Sequence, residues 1–144
     1  SSSMPLAAPM ANVDGIPYLD GGLADSIPVE YALEKGNEKI VVVLTRNPGY
    51  RKKRPVKATE QLYKRAYKKY PNLVKTIMSR NAVYNKQMKL IEKLEEEGKI
   101  FVIRPLIPIV SRMEKDYDKL QHFYMHGQRL MKKEYQGLLE YLNE

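Results

Sequence analysis

The chain has 144 residues, 25 Lys and Arg against 17 Asp and Glu, and no cysteine. That length suits one domain or a part of one. The missing thiols exclude a disulfide scaffold, a thiolate zinc site and a cysteine nucleophile, and no apolar run approaches the roughly 20 residues of a membrane helix.

Residues 1–19 are small, apolar and punctuated by proline, and Ser1, Ser2 and Ser3 carry no glycine elbow that would mark a nucleophile. Asp14-Gly15 between Val13 and Ile16 predicts a hairpin. Asp20-Gly21-Gly22 follows, and two glycines after an aspartate allow a tight turn and close backbone approach. Ser26 is expected to cap a short helix with Pro28 in its first turn and Asp25 as an acid favoured by the helix dipole. Val29, Ala32 and Leu33 give that helix its apolar face, and Gly36 is a natural C′ residue.

Lys39 to Thr45 is an unbroken β-branched run, the signature of a central parallel strand covered on both faces. The loop from Arg46 to Pro55 turns at Asn47-Pro48-Gly49. A basic helix is expected from Thr59 to Tyr70, and Pro71 opens another that runs to Glu97 with Tyr84, Met88, Ile91 and Leu94 on its buried face and Gly98 as its stop. The Glu95-Glu96-Glu97 run belongs to the solvent side. Ile100 to Ile103 reads as a second buried strand, Arg104 to Arg112 as extended chain, and Asp116 or a neighbour as the start of a last helix. Leu120, Tyr124, Gly127, Met131, Tyr135, Leu138 and Leu142 form an apolar stripe on it. Strands alternating with helices imply an α/β layer architecture. Two convincing strands fall short of the three or more an independent sheet needs, so further strands are expected on chain preceding Ser1.

Charge is concentrated. Residues 46–69 hold ten Lys and Arg (Arg46, Arg51, Lys52, Lys53, Arg54, Lys57, Lys64, Arg65, Lys68, Lys69) and one acid, Glu60, which makes the window +9 and leaves the rest at −1. Such a window attracts phosphate of lipid or nucleic acid, or is simply a solvated face. Tyr63, Tyr67 and Tyr70 lie among its lysines, where they either stack bases or pack inward while the lysine stems snorkel. His122 and His126 share one helical face, but two ligands make no metal site. No metal or other cofactor is expected.

The Asp20-Gly21-Gly22 turn is, taken alone, an ordinary turn before a helix. Its surroundings alter the weighing. The run YLDGGLADSIPVEYALEKG followed by KIVVVLTR closely resembles the patatin-like phospholipase family, most strongly over residues 1–46 and more loosely through KIFVIRP and EKDYDKLQHFYMHG. The resemblance implies the C-terminal portion of a three-layer α/β fold with a mostly parallel sheet and flanking helices. Residues 1–46 would carry the DGG motif and a core strand, 47–99 a basic helical insertion, and 100–144 the last strand and helix. It also implies lipid acyl hydrolysis by a Ser–Asp dyad, whose aspartate falls on Asp20 with Gly21 and Gly22 completing the turn. No G-x-S-x-G and no glycine-rich oxyanion loop occur within the 144 residues, so the nucleophile is expected on upstream chain and this chain alone is expected to be inactive. The substrate would be an acyl ester or phospholipid. The location would be cytoplasmic, with peripheral contact to anionic membrane through residues 46–69. The competing reading is a basic helical module that binds anionic membrane or, less favoured, nucleic acid without catalysis.

Overall fold

The computed structural model describes residues 2–111 and 113–143. Ser1 of the serine trio, Arg112 at the end of the expected extended run, and Glu144 lie outside the described residues. Among the described residues the fold is mixed α/β, with four α-helices and two small two-stranded sheets, one of them parallel. The chain divides into two compact units, Ser1–Pro28 with Arg51–Lys89, and Val29–Tyr50 with Leu90–Glu144.

The first unit opens on a hairpin of β1 (Ala11–Val13) and β2 (Ile16–Tyr18), antiparallel, with Val13 opposite Ile16, Asn12 opposite Pro17 and Ala11 opposite Tyr18. Asp14 at φ 51° and Gly15 at φ 80° are both left-handed, as a two-residue type I′ loop requires. The Gly15 N–H donates to Asn12 Oδ1 at 2.9 Å and fixes the bend. Two helices complete the unit, α2 (Lys57–Ala66) and α3 (Pro71–Glu96), the latter through Lys89. The α2 helix ends four residues before the expected Tyr70. Tyr67 leaves the helical region (φ −114°, ψ 38°), and its hydroxyl accepts the Leu6 N–H at 3.0 Å, a long-range contact that overrides local helix propensity. The segment entering α2 is held on α3 by asparagines. Asn85 accepts from Lys52 N at 2.8 Å and donates to Lys52 O at 2.9 Å, and Asn81 Nδ2 donates to Lys53 O at 2.7 Å. Two side chains thus satisfy loop backbone groups as a neighbouring strand would.

The second unit contains α1 (Val29–Glu34), β3 (Val41–Val43), the end of α3, β4 (Phe101–Ile103) and α4 (Tyr117–Asn143). Gly36, at φ 72°, closes α1 as expected: Gly36 N donates to Leu33 O and Asn37 N to Ala32 O, the paired bonds of a Schellman motif. Gly98 ends α3 the same way, with Gly98 N to Glu95 O and Lys99 N to Leu94 O. The strands β3 and β4 pair in parallel, Val41 with Phe101 through Val43 with Ile103. Asp116 starts α4, its Oδ1 accepting from the N–H groups of Asp118 at 3.1 Å and Lys119 at 3.2 Å.

Several expectations are corrected. The valine run is not covered on both faces. Ile40, Val42 and Leu44 are buried, whereas Val43 is 70% exposed and Val41 is also exposed. Helix α4 contacts the sheet through β4, and the face of β3 that carries Val41 and Val43 is only partly covered. The predicted stripe on α4 is mostly solvent-facing: Leu120, Tyr124, Tyr135 and Leu142 are exposed, Tyr124 by 63%. The buried anchor is Tyr141, 9% exposed. Its ring lies 5.8 Å from that of Phe101. Its hydroxyl accepts from Ile40 N at 2.9 Å and donates to Lys99 O at 3.0 Å. Spacing alone picks out an apolar face but not the face that meets the sheet. Glu95 is not a free solvent-side acid, because it pairs with the largely buried Arg104 guanidinium.

Candidate functional site

The turn around Asp20 is assembled within the first unit. The hairpin returns the chain alongside its start, and Asp20 N donates to Ser3 O at 3.0 Å. Asp20 itself is non-helical (φ −56°, ψ 125°) and caps a 3-10 turn, Gly21–Leu23. Its Oδ1 accepts the Gly22 N–H at 2.8 Å, and Leu23 N and Ala24 N close the turn onto Asp20 O and Gly21 O at 3.1 Å each. Buried Leu23 anchors the turn from below. Asp20 is half-buried. Its Oδ2 accepts no hydrogen bond among the described residues.

The two glycines are not equivalent. A Cβ on Gly22 would stand 3.0 Å from Asp20 Oδ1 and 3.8 Å from Arg80 Nη2, whereas a Cβ on Gly21 would meet nothing within 4 Å. Gly22 is therefore the position where an added side chain would crowd the carboxylate and force it to shift by a few tenths of an ångström.

Ser26 is not the helix cap. Helix α1 starts three residues later, and the Ser26 hydroxyl donates to Gly22 O at 2.8 Å, tying down the far side of the turn. Asp25 likewise lies outside the first turn of α1. It accepts from Gln87 Nε2 at 2.5 Å, and Gln87, on α3, is only 2% exposed with its Oε1 buried and unpartnered among the described residues. A carboxylate gripping a buried amide is a structural brace.

Sequence reasoning did not single out Arg80 on α3. Its guanidinium reaches the neighbourhood of Gly22, and its Nε is buried without a hydrogen-bond partner among the described residues. Nothing in the sequence separates it from the surface cations around it.

The other sequence candidates separate clearly. His126 Nε2 accepts the Leu106 N–H at 3.1 Å. His122 lies in an apolar groove with Ile107, Ile109, Val110 and Phe123. No group of three His, Asp or Glu side chains able to hold a metal occurs among the described residues. Of the ten cations in residues 46–69, seven are exposed (Lys53, Arg54, Lys57, Lys64, Arg65, Lys68, Lys69). Tyr63 and Tyr67 are half-buried and stack with each other at 6.3 Å. Among the described residues no helix is long and apolar enough to cross a membrane.

A protein-family model described as a domain of unknown function, DUF6363, matches residues 70–143, just over half of the chain. That span holds α3, β4 and α4, and with them Arg80, but not Asp20. No curated protein matches the chain.

Proposed function

This chain belongs to the DUF6363 family, and from that premise we propose that it is the C-terminal part of a patatin-like serine acyl hydrolase, with the family domain packed after the segment that carries the dyad aspartate. The observation that carries this reading is the state of Asp20. One carboxylate oxygen is pinned by the Gly22 N–H while the other is unengaged, half-buried, at a turn stripped of side chains. A general base needs this combination of fixed orientation and a vacant lone pair.

In the complete enzyme a serine on upstream chain donates its proton to Asp20 Oδ2 as its oxygen attacks the ester carbonyl. The alcohol leaves with that proton, and water then releases the acyl group by the reverse transfer. Oxyanion donors come from the same upstream chain. The three-layer sheet of such a fold would cover the exposed Val41 and Val43 face. The substrate is an acyl ester or phospholipid, met at an anionic membrane surface on the cytoplasmic side, to which the exposed cations of residues 46–69 would be drawn. The alternative of a nucleic-acid module is less well supported, because Tyr63 and Tyr67 stack on each other instead of offering free ring faces.

The test uses p-nitrophenyl butyrate. The 144-residue chain alone should give no hydrolysis above background. In the longer protein that includes the upstream serine, Asp20→Asn should cost about 10²–10⁴ in rate, and Asp25→Asn, which keeps an acceptor for Gln87, should cost little. Robust hydrolysis by the short chain, or equal losses from both substitutions, would refute the reading.

A further inference from the structure

Helix α4 has 27 residues and is about 40 Å long. Its sheet-facing side carries Tyr141 against Phe101 and Gly137, where a Cβ would stand 3.7 Å from the Phe101 ring. A second stripe runs from Tyr117 to Leu142 through Leu120, Tyr124, Met131 and Tyr135, in steps that keep it on one face of a straight helix. Tyr117, Tyr124 and Tyr135 are 73%, 63% and 54% exposed. At about 200 Å² for each of these side chains, they leave roughly 400 Å² in water, and exposed Leu120 and Leu142 extend the patch. A continuous apolar patch of that size marks an interaction site. The tyrosines alone provide half of the roughly 800 Å² that each partner gives to a stable complex. Gly127 lies within the stripe, exposed, and a Cβ on it would meet nothing within 4 Å. A mid-helix glycine costs about 1 kcal/mol against alanine, and no contact among the described residues requires this one. The unit that contains α4, Val29–Tyr50 with Leu90–Glu144, holds 13 acids against 12 Lys and Arg. Two copies of it can therefore approach without net repulsion.

We propose that this face of α4 binds the same face on a second copy of the chain, the two helices antiparallel about a two-fold axis at Met131. A two-fold contact has to be self-complementary, and this register is. Leu120 faces Leu142, Tyr124 faces Leu138, and Tyr135 lies over Gly127 of the second copy. Each of these tyrosines meets a smaller residue, and the glycine supplies the space for a ring. A parallel pairing would set Tyr124 on Tyr124 and Tyr135 on Tyr135, with Gly127 opposite Gly127 as a gap that loses contact on both sides. Rings that bury apolar area at little conformational cost are the side chains that anchor interfaces. The area is at the small end for a stable pair, so the dimer is a weak one, with a dissociation constant on the order of 10 µM. The proposal is independent of the hydrolase reading.

Sedimentation velocity of the 144-residue chain, from about 1 to 200 µM, should show a monomer passing to a dimer. Tyr135→Ser should weaken the dimer about tenfold or more with circular dichroism retained. Gly127→Lys separates the interface from the fold: lysine is the better helix former, so the melting temperature at low concentration should hold or rise while the dimer is lost. The chain has no cysteine, so introduced thiols report the register. Oxidised Met131→Cys should link to itself across the axis. Leu120→Cys should not, because its two copies stand about 33 Å apart, but it should link to Leu142→Cys when the two variants are mixed. A chain that stays monomeric at the highest concentration overturns the proposal, whether or not lipid vesicles then take up the stripe. So does a dimer untouched by Tyr135→Ser and Gly127→Lys, which would form through another surface, and so does ready self-linking of Leu120→Cys. A longer protein that is monomeric where the short chain dimerises would assign the stripe to upstream chain and equally overturn it. None of these readouts involves ester hydrolysis, so the hydrolase reading stands or falls separately.

Discussion

Removing a single oxygen from Tyr141 offers the sharpest test of the second unit. Tyr141→Phe leaves the ring, its tilted contact with Phe101 and the helix intact, and deletes only the hydroxyl that joins Ile40 N to Lys99 O. No other partner for the Ile40 N–H exists among the described residues. Leaving one buried donor and one acceptor unsatisfied costs about 1–3 kcal/mol, and about 2 kcal/mol is the expected loss. For 144 residues the unfolding entropy is roughly 0.3 kcal/mol/K, so the melting temperature should fall by about 7 °C. Hydrogen exchange gives the local readout. The global loss alone speeds every amide that exchanges through unfolding, Val42 and Val102 included, by about 30-fold, and the Ile40 amide, freed locally as well, should accelerate by more than that. A melting shift below about 1 °C, or an Ile40 amide as protected as before, would refute the claim that this hydroxyl pins the start of β3.

Two further outcomes follow from charge. The Lys119 N–H holds the Asp116 carboxyl below its ordinary value, outweighing the desolvation that opposes it, and the Lys119 ammonium and Asp118 N–H add to the lowering. Its contribution to starting α4 is therefore complete above the unfolded-state value of about 3.9 and is lost as pH falls through the lower folded value. A carbon-detected titration of Asp116 should find the depressed value, and one at or above the ordinary range would contradict the capping geometry. For the basic segment, the chain should bind anionic vesicles over neutral ones, with affinity falling as salt rises. Neutralising Lys57, Lys68 or Lys69 singly should each cost about fivefold, near 1 kcal/mol per cation at the surface, and equal partitioning to both vesicle types at low salt would remove the membrane role.

The features legible in the sequence are those set by a few neighbouring residues. Asp14-Gly15 demanded two left-handed positions, Gly36 and Gly98 closed helices as C′ glycines, and Pro71 opened one. The pairing of the two aliphatic runs was also readable, since strands separated by helices pair in parallel. What escaped were side chains whose partners are remote in sequence. Tyr141 reaches Ile40 across 101 positions, and the regular spacing of Leu120, Tyr124 and Tyr135 drew attention to the wrong face of α4. Ser26 and Asp25 carry the residue types of a helix start but bond instead to Gly22 and Gln87. At the candidate site, Asp20 and its glycines were visible as a motif. Arg80 was not, because an arginine on a lysine-rich helix is read as surface until a fold removes its Nε from water.

Pro17 has a consequence for how the chain behaves in crowded solution. Val13, Ile16 and Tyr18 of the hairpin are all about half exposed, the composition of a segment prone to recruit other chains edge to edge. In a two-residue hairpin the Val13 and Ile16 pair is the hydrogen-bonded one, so the Asn12 and Pro17 pair directs its remaining backbone groups outward. The outer margin of β2 therefore lacks the one donor that an incoming strand would seek at its centre. Proline at this position makes the hairpin a poor template for fibril growth while leaving its inner ladder undisturbed. A change to valine there would preserve the fold and shorten the lag before aggregation.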